Sequence, residues 1–219
     1  MRIGILRFPG TCDDRDTAYA ISTIGHQPVA LWHGDGDLQD VDSVVVPGGF
    51  SYGDYLRAGA IARFSPAMAS VVSFAADGGR VLGICNGFQV LCEAGLLPGA
   101  LTRNAGLRFI HRRQNLLWEP TGQVLDIPLK NGEGRYVHPE PDSLVESDQV
   151  LLRYCDGDGG VIDGANPNGS VANIAGVTNA AGNVAGLMPH PEHAVDPLLG
   201  STDGRGFLLD RLVGAFAPA

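Results

Sequence analysis

Short aliphatic and β-branched runs, each closed by glycine or proline, alternate through the first half of the chain with longer stretches of helical period. This alternation limits the fold more than any other feature. Residues 2–8 (RIGILRF), 27–32, 43–46 and 80–84 read as strands. Their near-continuous apolarity is that of strands buried on both faces, which requires an α/β architecture: a wound, mostly parallel sheet with helices on both sides. Residues 13–24 predict a helix that opens on an acidic pair, Asp13 and Asp14, suited to the positive end of a helix dipole. The Ala-rich stretch 55–76 has few breakers and predicts one or two helices. Residues 86–94 predict the helix after strand 80–84, with Gly95 as its stop.

Residues 100–137 lose the alternation. Extended runs at 107–118 and 123–129, with turn signals between them, predict a small antiparallel excursion in the middle of the chain, inserted into or appended to the wound sheet. Strands are expected again at 149–154, 170–177 and 183–188, joined by turns such as Asn166-Pro167-Asn168-Gly169, and a last helix at 203–215. No repeat, low-complexity tract or linker interrupts the 219 residues, so one domain spanning 1–219 is expected.

Composition removes several function classes. A formal charge of −9 has the wrong sign for holding a phosphate backbone, which argues against nucleic acid as the main ligand. The longest nearly apolar run, 67–76 (AMASVVSFAA), falls well short of the roughly 20 residues of a membrane span. The opening MRIGILRFPG runs into Arg7, Pro9 and Asp13, unlike a secretory leader, and a cytoplasmic location is expected. The four cysteines, Cys12, Cys85, Cys92 and Cys155, form no C-x-x-C pair; they are expected to be free thiols, with no metal site. No P-loop occurs, and the acidic turn at 156–160 lacks the spacing and terminal glutamate of a calcium loop.

The most informative segment is RVLGICNGFQ at 80–89. An apolar strand runs into Cys85, and Gly83 and Gly87 flank it as the glycines of a G-x-S-x-G elbow flank a serine. Side chains at the two flanking positions would clash in so sharp a strand-to-helix reversal, while the central residue is pushed out over the helix N-terminus. There the helix dipole favours a thiolate and the amide of Asn86 can meet a developing oxyanion. Gln89, one turn further along the same face, is placed to hold a substrate. Cys85 taken alone is equally a small buried hydrophobe between turn glycines.

A partner lies in MPHPE at 188–192. The prolines push Met188 and His190 toward extended conformations, so His190 and Glu192 are expected to alternate as in a strand and face one side. That supplies a base and its orienting carboxylate, completing a Cys-His-Glu relay. His26, His33, His111, His138 and His193 lack this setting and read as surface or packing residues. A Gly-Gly bend at Pro47-Gly48-Gly49, directly after strand 43–46, can offer the second oxyanion amide.

With these residues in place the sequence resembles the class I (triad) glutamine amidotransferases, and within them the small glutaminase subunits of phosphoribosylformylglycinamidine synthases. The likeness covers nearly the whole chain: PGGFSYGDYLRAGAIA at 47–62, GICNGFQVLCEAGLLPG at 83–99, NGEGRYV at 131–137, NPNGSVANIAGVTN at 166–179, MPHPE at 188–192 and DPLLGSTDG at 196–204. The GxCxGxQ and HxE elements indicate only the class; the FSYGDYLRAGAIA and NPNGSVANIAG stretches indicate the purine enzymes.

The resemblance implies a flavodoxin-like fold and a glutaminase. Cys85 would attack the side-chain amide of L-glutamine, and His190 with Glu192 would act as base and then acid. Gly49 and Asn86 would supply the oxyanion amides, and Gln89 would contact the substrate. It implies no cofactor in this chain. The ammonia would pass to a large synthetase subunit that uses ATP and Mg²⁺ to convert formylglycinamide ribonucleotide to the amidine, with a small third subunit bridging the two. Many relatives carry His in place of Asn131 and Arg in place of His193. Arg103, Arg108, Arg112 and Arg113 fall in a segment that is pocket rim, partner-facing surface or a solvated basic face. Two other functions stay open. An amidotransferase of another pathway shares all of this chemistry, whereas a redox-sensing or chaperone-like protein with an elbow cysteine needs neither Glu192 nor the Gly-Gly loop.

Overall fold

Five parallel strands lie side by side at one end of a nine-stranded sheet, as the alternation requires. In a computed structural model, which describes residues 1–214, the elements run β1 (Arg2–Arg7), α1 (Asp14–Thr23), β2 (Gln27–Trp32), β3 (Ser43–Val46), α2 (Pro66–Ala76), β4 (Arg80–Ile84) and α3 (Asn86–Glu93). Then follow β5 (Ala100–Thr102), β6 (Ile110–Trp118), β7 (Gln123–Asn131), β8 (Arg135–Val137), α4 (Pro141–Glu146), β9 (Val150–Tyr154), β10 (Ile174–Thr178), β11 (Val184–Leu187) and α5 (Gly204–Val213). Ala215, the last residue of the predicted C-terminal helix, lies outside the described residues.

The sheet order is β2-β1-β3-β4-β11-β10-β9-β6-β7. Strands β2, β1, β3, β4 and β11 pair in parallel; β10, β9, β6 and β7 continue the sheet antiparallel. The middle excursion therefore joins the main sheet as the β6–β7 hairpin, through β9, while β5 and β8 form a separate two-stranded ribbon. Strands β3, β10 and β11 are buried at every residue, which explains their lack of apolar–polar alternation. Phe88, Trp118, Tyr136, Tyr154 and Phe207 are the largest aromatic side chains of the core. Each contributes roughly 1.5–3 kcal/mol by leaving water.

Three local expectations change. In 55–76 only Pro66–Ala76 is α-helical. The Ser65 side chain caps that helix by accepting from the Met68 amide, and Pro66 fits its first turn. Residues 55–61 remain irregular because they press on α3: a β-carbon at Gly59 would lie 2.7 Å from the Val90 nitrogen. In 170–177 the strand starts only at Ile174, after a 3₁₀ turn in which Ala172 has φ +50°. The short helix α4, opened by Pro141, was not anticipated.

Because β1, β3, β4 and β11 are parallel, the segments that follow them emerge at one edge of the sheet, where wound α/β folds place their sites. The end of β7 is drawn to the same edge by a hydrogen bond from the His190 amide to the Pro128 carbonyl, 2.8 Å.

Candidate active site

Cys85 joins β4 to α3 with φ +51° and ψ −104°, a backbone conformation strained for a residue with a β-carbon. Its amide donates to the Leu187 carbonyl at 2.8 Å, which ties the elbow to the end of β11. The flanking glycines have the steric role their spacing suggests. A β-carbon at Gly87 would fall 1.8 Å from the Val46 carbonyl oxygen, and one at Gly83 would fall 2.7 Å from the Gly87 backbone.

His190 and Glu192 do meet, though not by strand alternation. Residues 191–193 form a 3₁₀ turn, and it is this turn that folds Glu192 back so that its Oε1 lies 2.6 Å from His190 Nδ1. Both side chains are withdrawn from solvent, the imidazole completely. Burial opposes a charge on the ring, but the Glu192 carboxylate and the sulfur of Cys85 outweigh it and push the His190 pKa up to about 10. The groups around the imidazole thus favour its charged form.

Cys85, His190, Gly49 and Gln89 line one cavity of about 300 Å³, together with Asp54 and Lys130. This volume is at the small end of ligand sites. Gly49 has φ +149°, and a β-carbon there would lie 2.6 Å from the Cys12 nitrogen, so only glycine lets the loop pass so close. Asn86 is not on the cavity wall. Its N–H is one of the unpaired first-turn donors of α3, while its side chain braces the loop after β3. Its Oδ1 accepts from the Ser51 amide at 3.0 Å, and its Nδ2 donates to Gln89 Oε1 at 2.9 Å and to Asp54 Oδ1 at 3.3 Å. Gln89 in turn donates to the Glu133 carbonyl at 2.7 Å.

The sequence reading missed several groups. Asp13 and Lys130, both on the cavity wall, meet at 2.6 Å. His193, grouped above with the surface histidines, instead sits 3.6 Å from both Asp13 and Glu192 because the same 3₁₀ turn carries it inward. Burial alone would raise the Asp13 carboxyl; the imidazoles of His193 and His190 and the Lys130 ammonium outweigh it and hold it well below the usual carboxylate range. Asp13, His190, Glu192 and His193 each bring one ligand-capable atom within 4.8 Å of the others. The Lys130 ammonium adds a positive charge beside them. Asp54 goes the other way: burial, then the nearby Glu133 charge, lift its carboxyl to about 6 despite the Asn86 hydrogen bond. Asn131, also on the cavity wall, has no hydrogen-bond partner for either side-chain amide atom among the described residues. Asp54 and Asn131 lie in the stretches quoted above at 47–62 and 131–137, but Asp13 and Lys130 carry no such signal, because a lone Asp or Lys far from the elbow gives no spacing to read.

All four cysteines are free thiols. In the basic segment, Arg103 reaches Glu133 at the cavity rim, 3.5 Å away, while Arg113 pairs with Asp126 and Arg112 with Gln114.

The model of the CobB/CobQ-like glutamine amidotransferase domain matches residues 1–205. The chain is 56% identical to the phosphoribosylformylglycinamidine synthase subunit PurQ of Streptomyces avermitilis, over 98% of this chain and 99% of that one. It is also 56% identical to the protein of the same name from Mycolicibacterium paratuberculosis, over 99% and 98% of the two chains. Among solved structures, a chain in the structure of PurLQS from Thermotoga maritima matches with a TM-score of 0.86 at 38% identity, covering 97% of each chain.

Proposed function

This chain belongs to the CobB/CobQ-like glutamine amidotransferase domain family, and from that membership we propose that it is the glutaminase subunit of phosphoribosylformylglycinamidine synthase, with Cys85, His190 and Glu192 as its triad. The observation that carries the assignment of the triad is the elbow cysteine and the buried 2.6 Å His190–Glu192 pair converging on one cavity.

The Cys85 thiolate attacks the side-chain carboxamide carbon of glutamine. The oxyanion that forms is met by the main-chain N–H groups of Gly49 and Asn86. The His190 imidazolium, held in orientation by Glu192, gives its proton to the departing nitrogen, so ammonia leaves and a glutamyl thioester stays on Cys85. Neutral His190 then takes a proton from water, which attacks the thioester; collapse expels the Cys85 thiolate beside the restored imidazolium, and the product acid loses its proton to solvent as glutamate. Gln89 fixes the far side of the cavity through its bond to the Glu133 carbonyl.

The ammonia goes to a synthetase subunit that converts formylglycinamide ribonucleotide to the amidine, with a small bridging subunit in the complex. ATP and Mg²⁺ belong to that synthetase, and this chain uses no cofactor of its own. The net charge of −9 suits that division, since the phosphorylated acceptor is bound elsewhere. Around the cavity, Phe50 and Phe109 are exposed, and Tyr55 and Leu56 follow the cavity residue Asp54 with 75% and 86% of their surfaces open. This apolar rim is the surface we assign to the synthetase contact. A cytoplasmic location fits the substrates. Among the described residues, no helix is long and apolar enough to cross a membrane.

The test is Cys85→Ala in the complex reconstituted with its synthetase and bridging subunits. Glutamine-dependent synthesis should disappear while added ammonia still supports it; loss of both activities, or of neither, overturns the reading. A glutamine-mimicking electrophile should label Cys85, and glutamine should protect it. Labelling indifferent to glutamine would favour a redox thiol instead.

A further inference from the structure

Asp13 occupies the N-cap position of α1, yet its side chain makes no capping hydrogen bond. Aspartate is among the best capping residues, and leaving the cap unmade forgoes the stability that cap would give. The carboxylate turns instead toward Lys130 and His190 on the cavity wall. Its Oδ1 lies 2.6 Å from Lys130 Nζ and its Oδ2 lies 3.6 Å from His190 Nδ1, the nitrogen already bonded to Glu192. The backbone holds it there, because the amides of Cys12 and Asp13 both donate to the Gly48 carbonyl at 3.1 Å. A β-carbon at Gly48 would fall 2.3 Å from Asp13 Oδ2 and 2.9 Å from His190 Cε1, so the bare glycine is what lets the carboxylate and the imidazole approach. Lys130 closes the circuit from β7: its ammonium holds Asp13 while its carbonyl oxygen lies 3.6 Å from the Cys85 sulfur.

Building on the triad reading above, we propose that Asp13 is a second positioning carboxylate for His190, and that Lys130 balances its charge and links it to the nucleophile. The other titratable groups facing this pair are Glu192 and His193 from the turn after β11, Asp16 from α1, Cys12 from the same loop and Cys85 from the elbow. During the first half-reaction His190 must carry a positive charge on a side chain fully withdrawn from solvent. Two carboxylates on its Nδ1 side hold that charge and the ring plane, and Lys130 keeps the second carboxylate from standing as an uncompensated buried anion.

The charges give the proposal a signature in sign. Removing the negative charge at 13 makes it easier for His190 to lose its proton, so the basic limb of the pH profile moves down; removing the positive charge at 130 moves it up. A residue that only supports the fold has no reason to produce opposite shifts.

The experiment measures glutamine-dependent synthesis by the reconstituted complex, as kcat, KM and the pH profile of kcat/KM. Asp13→Asn should lower kcat about tenfold, leave KM within about twofold and move the basic limb down by about one pH unit. Lys130→Met should move that limb up. Limbs that stay in place, shifts of the same sign in both variants, or a loss confined to KM would overturn the proposal. If one variant fails to fold, judged by its failure to join the complex, the other carries the test through its own sign. Glu192→Gln and Cys85→Ala run alongside: if these leave glutamine-dependent synthesis intact, the triad reading itself is wrong, whereas their inactivity with an unaffected Asp13→Asn rejects only the role of Asp13.

Discussion

Gly87 sits directly against Val46: a β-carbon on the glycine would lie 1.8 Å from the valine's carbonyl oxygen. The contact joins the first turn of α3 to the end of β3, and with it the elbow bearing Cys85 to the loop bearing Gly49. The atom in the way is backbone, so no side-chain rotation relieves it.

Gly87→Ala should therefore destabilise the subunit by on the order of 3 kcal/mol, at the upper end of the usual overpacking cost. For a chain of this size that lowers Tm by about 6–12 °C. Thermal unfolding of the isolated subunit measures it; a variant melting within about 2 °C of the parent would show that the elbow yields more easily than its geometry indicates.

Asp54 should give the subunit a distinctive pH dependence. A carboxyl raised from 3.8 to about 6 on folding binds its proton more tightly in the folded state. Its contribution to stability is fully present below the unfolded value and is lost as pH rises through the folded one. Asp54→Asn cannot titrate, so its Tm should gain on the parent's as pH rises from 4 toward 7, the parent losing stability through about pH 6. Parallel Tm curves for the two proteins across that range would refute this.

The exposed rim should matter to assembly and not to the thiol. Leu56 has φ +75° and stands almost wholly in solvent, so a leucine there gains nothing for the isolated fold. Leu56→Asp should weaken binding to the synthetase subunit by about tenfold or more, through burial of a charge in an apolar contact, while Cys85 labels at the parent's rate. Titration of the labelled subunit with synthetase reads the first quantity. Unchanged affinity would place the contact on another face.

The residues legible in the sequence were those whose relation is fixed by a few bonds of chain. Gly83, Cys85 and Gly87 announce an elbow because a sharp strand-to-helix reversal tolerates side chains at only some positions, and Gln89 follows from the helical repeat. His190 and Glu192 were paired correctly from a wrong local geometry: two residues apart are neighbours in a strand, and the 3₁₀ turn brought the carboxylate to the ring by another path. The irregular stretch before Pro66 was misread as helix because composition reports propensity, while contact of that stretch with α3 decided its shape.

By itself the sequence determined the class of fold, the elbow cysteine and the short His-x-Glu segment, since each rests on local periodicity or local sterics. Only the tertiary structure decided that Asp13, Lys130 and His193 stand around that segment. Asp13 and Lys130 lie 117 residues apart, and nothing in the spacing of single charges shows that they will meet. They meet because parallel strands deliver their following loops to one edge of the sheet, where β7 also ends. Once gathered there and buried, each charge must be answered by another. That requirement turned a residue placed to cap a helix into one that faces the His190 imidazole.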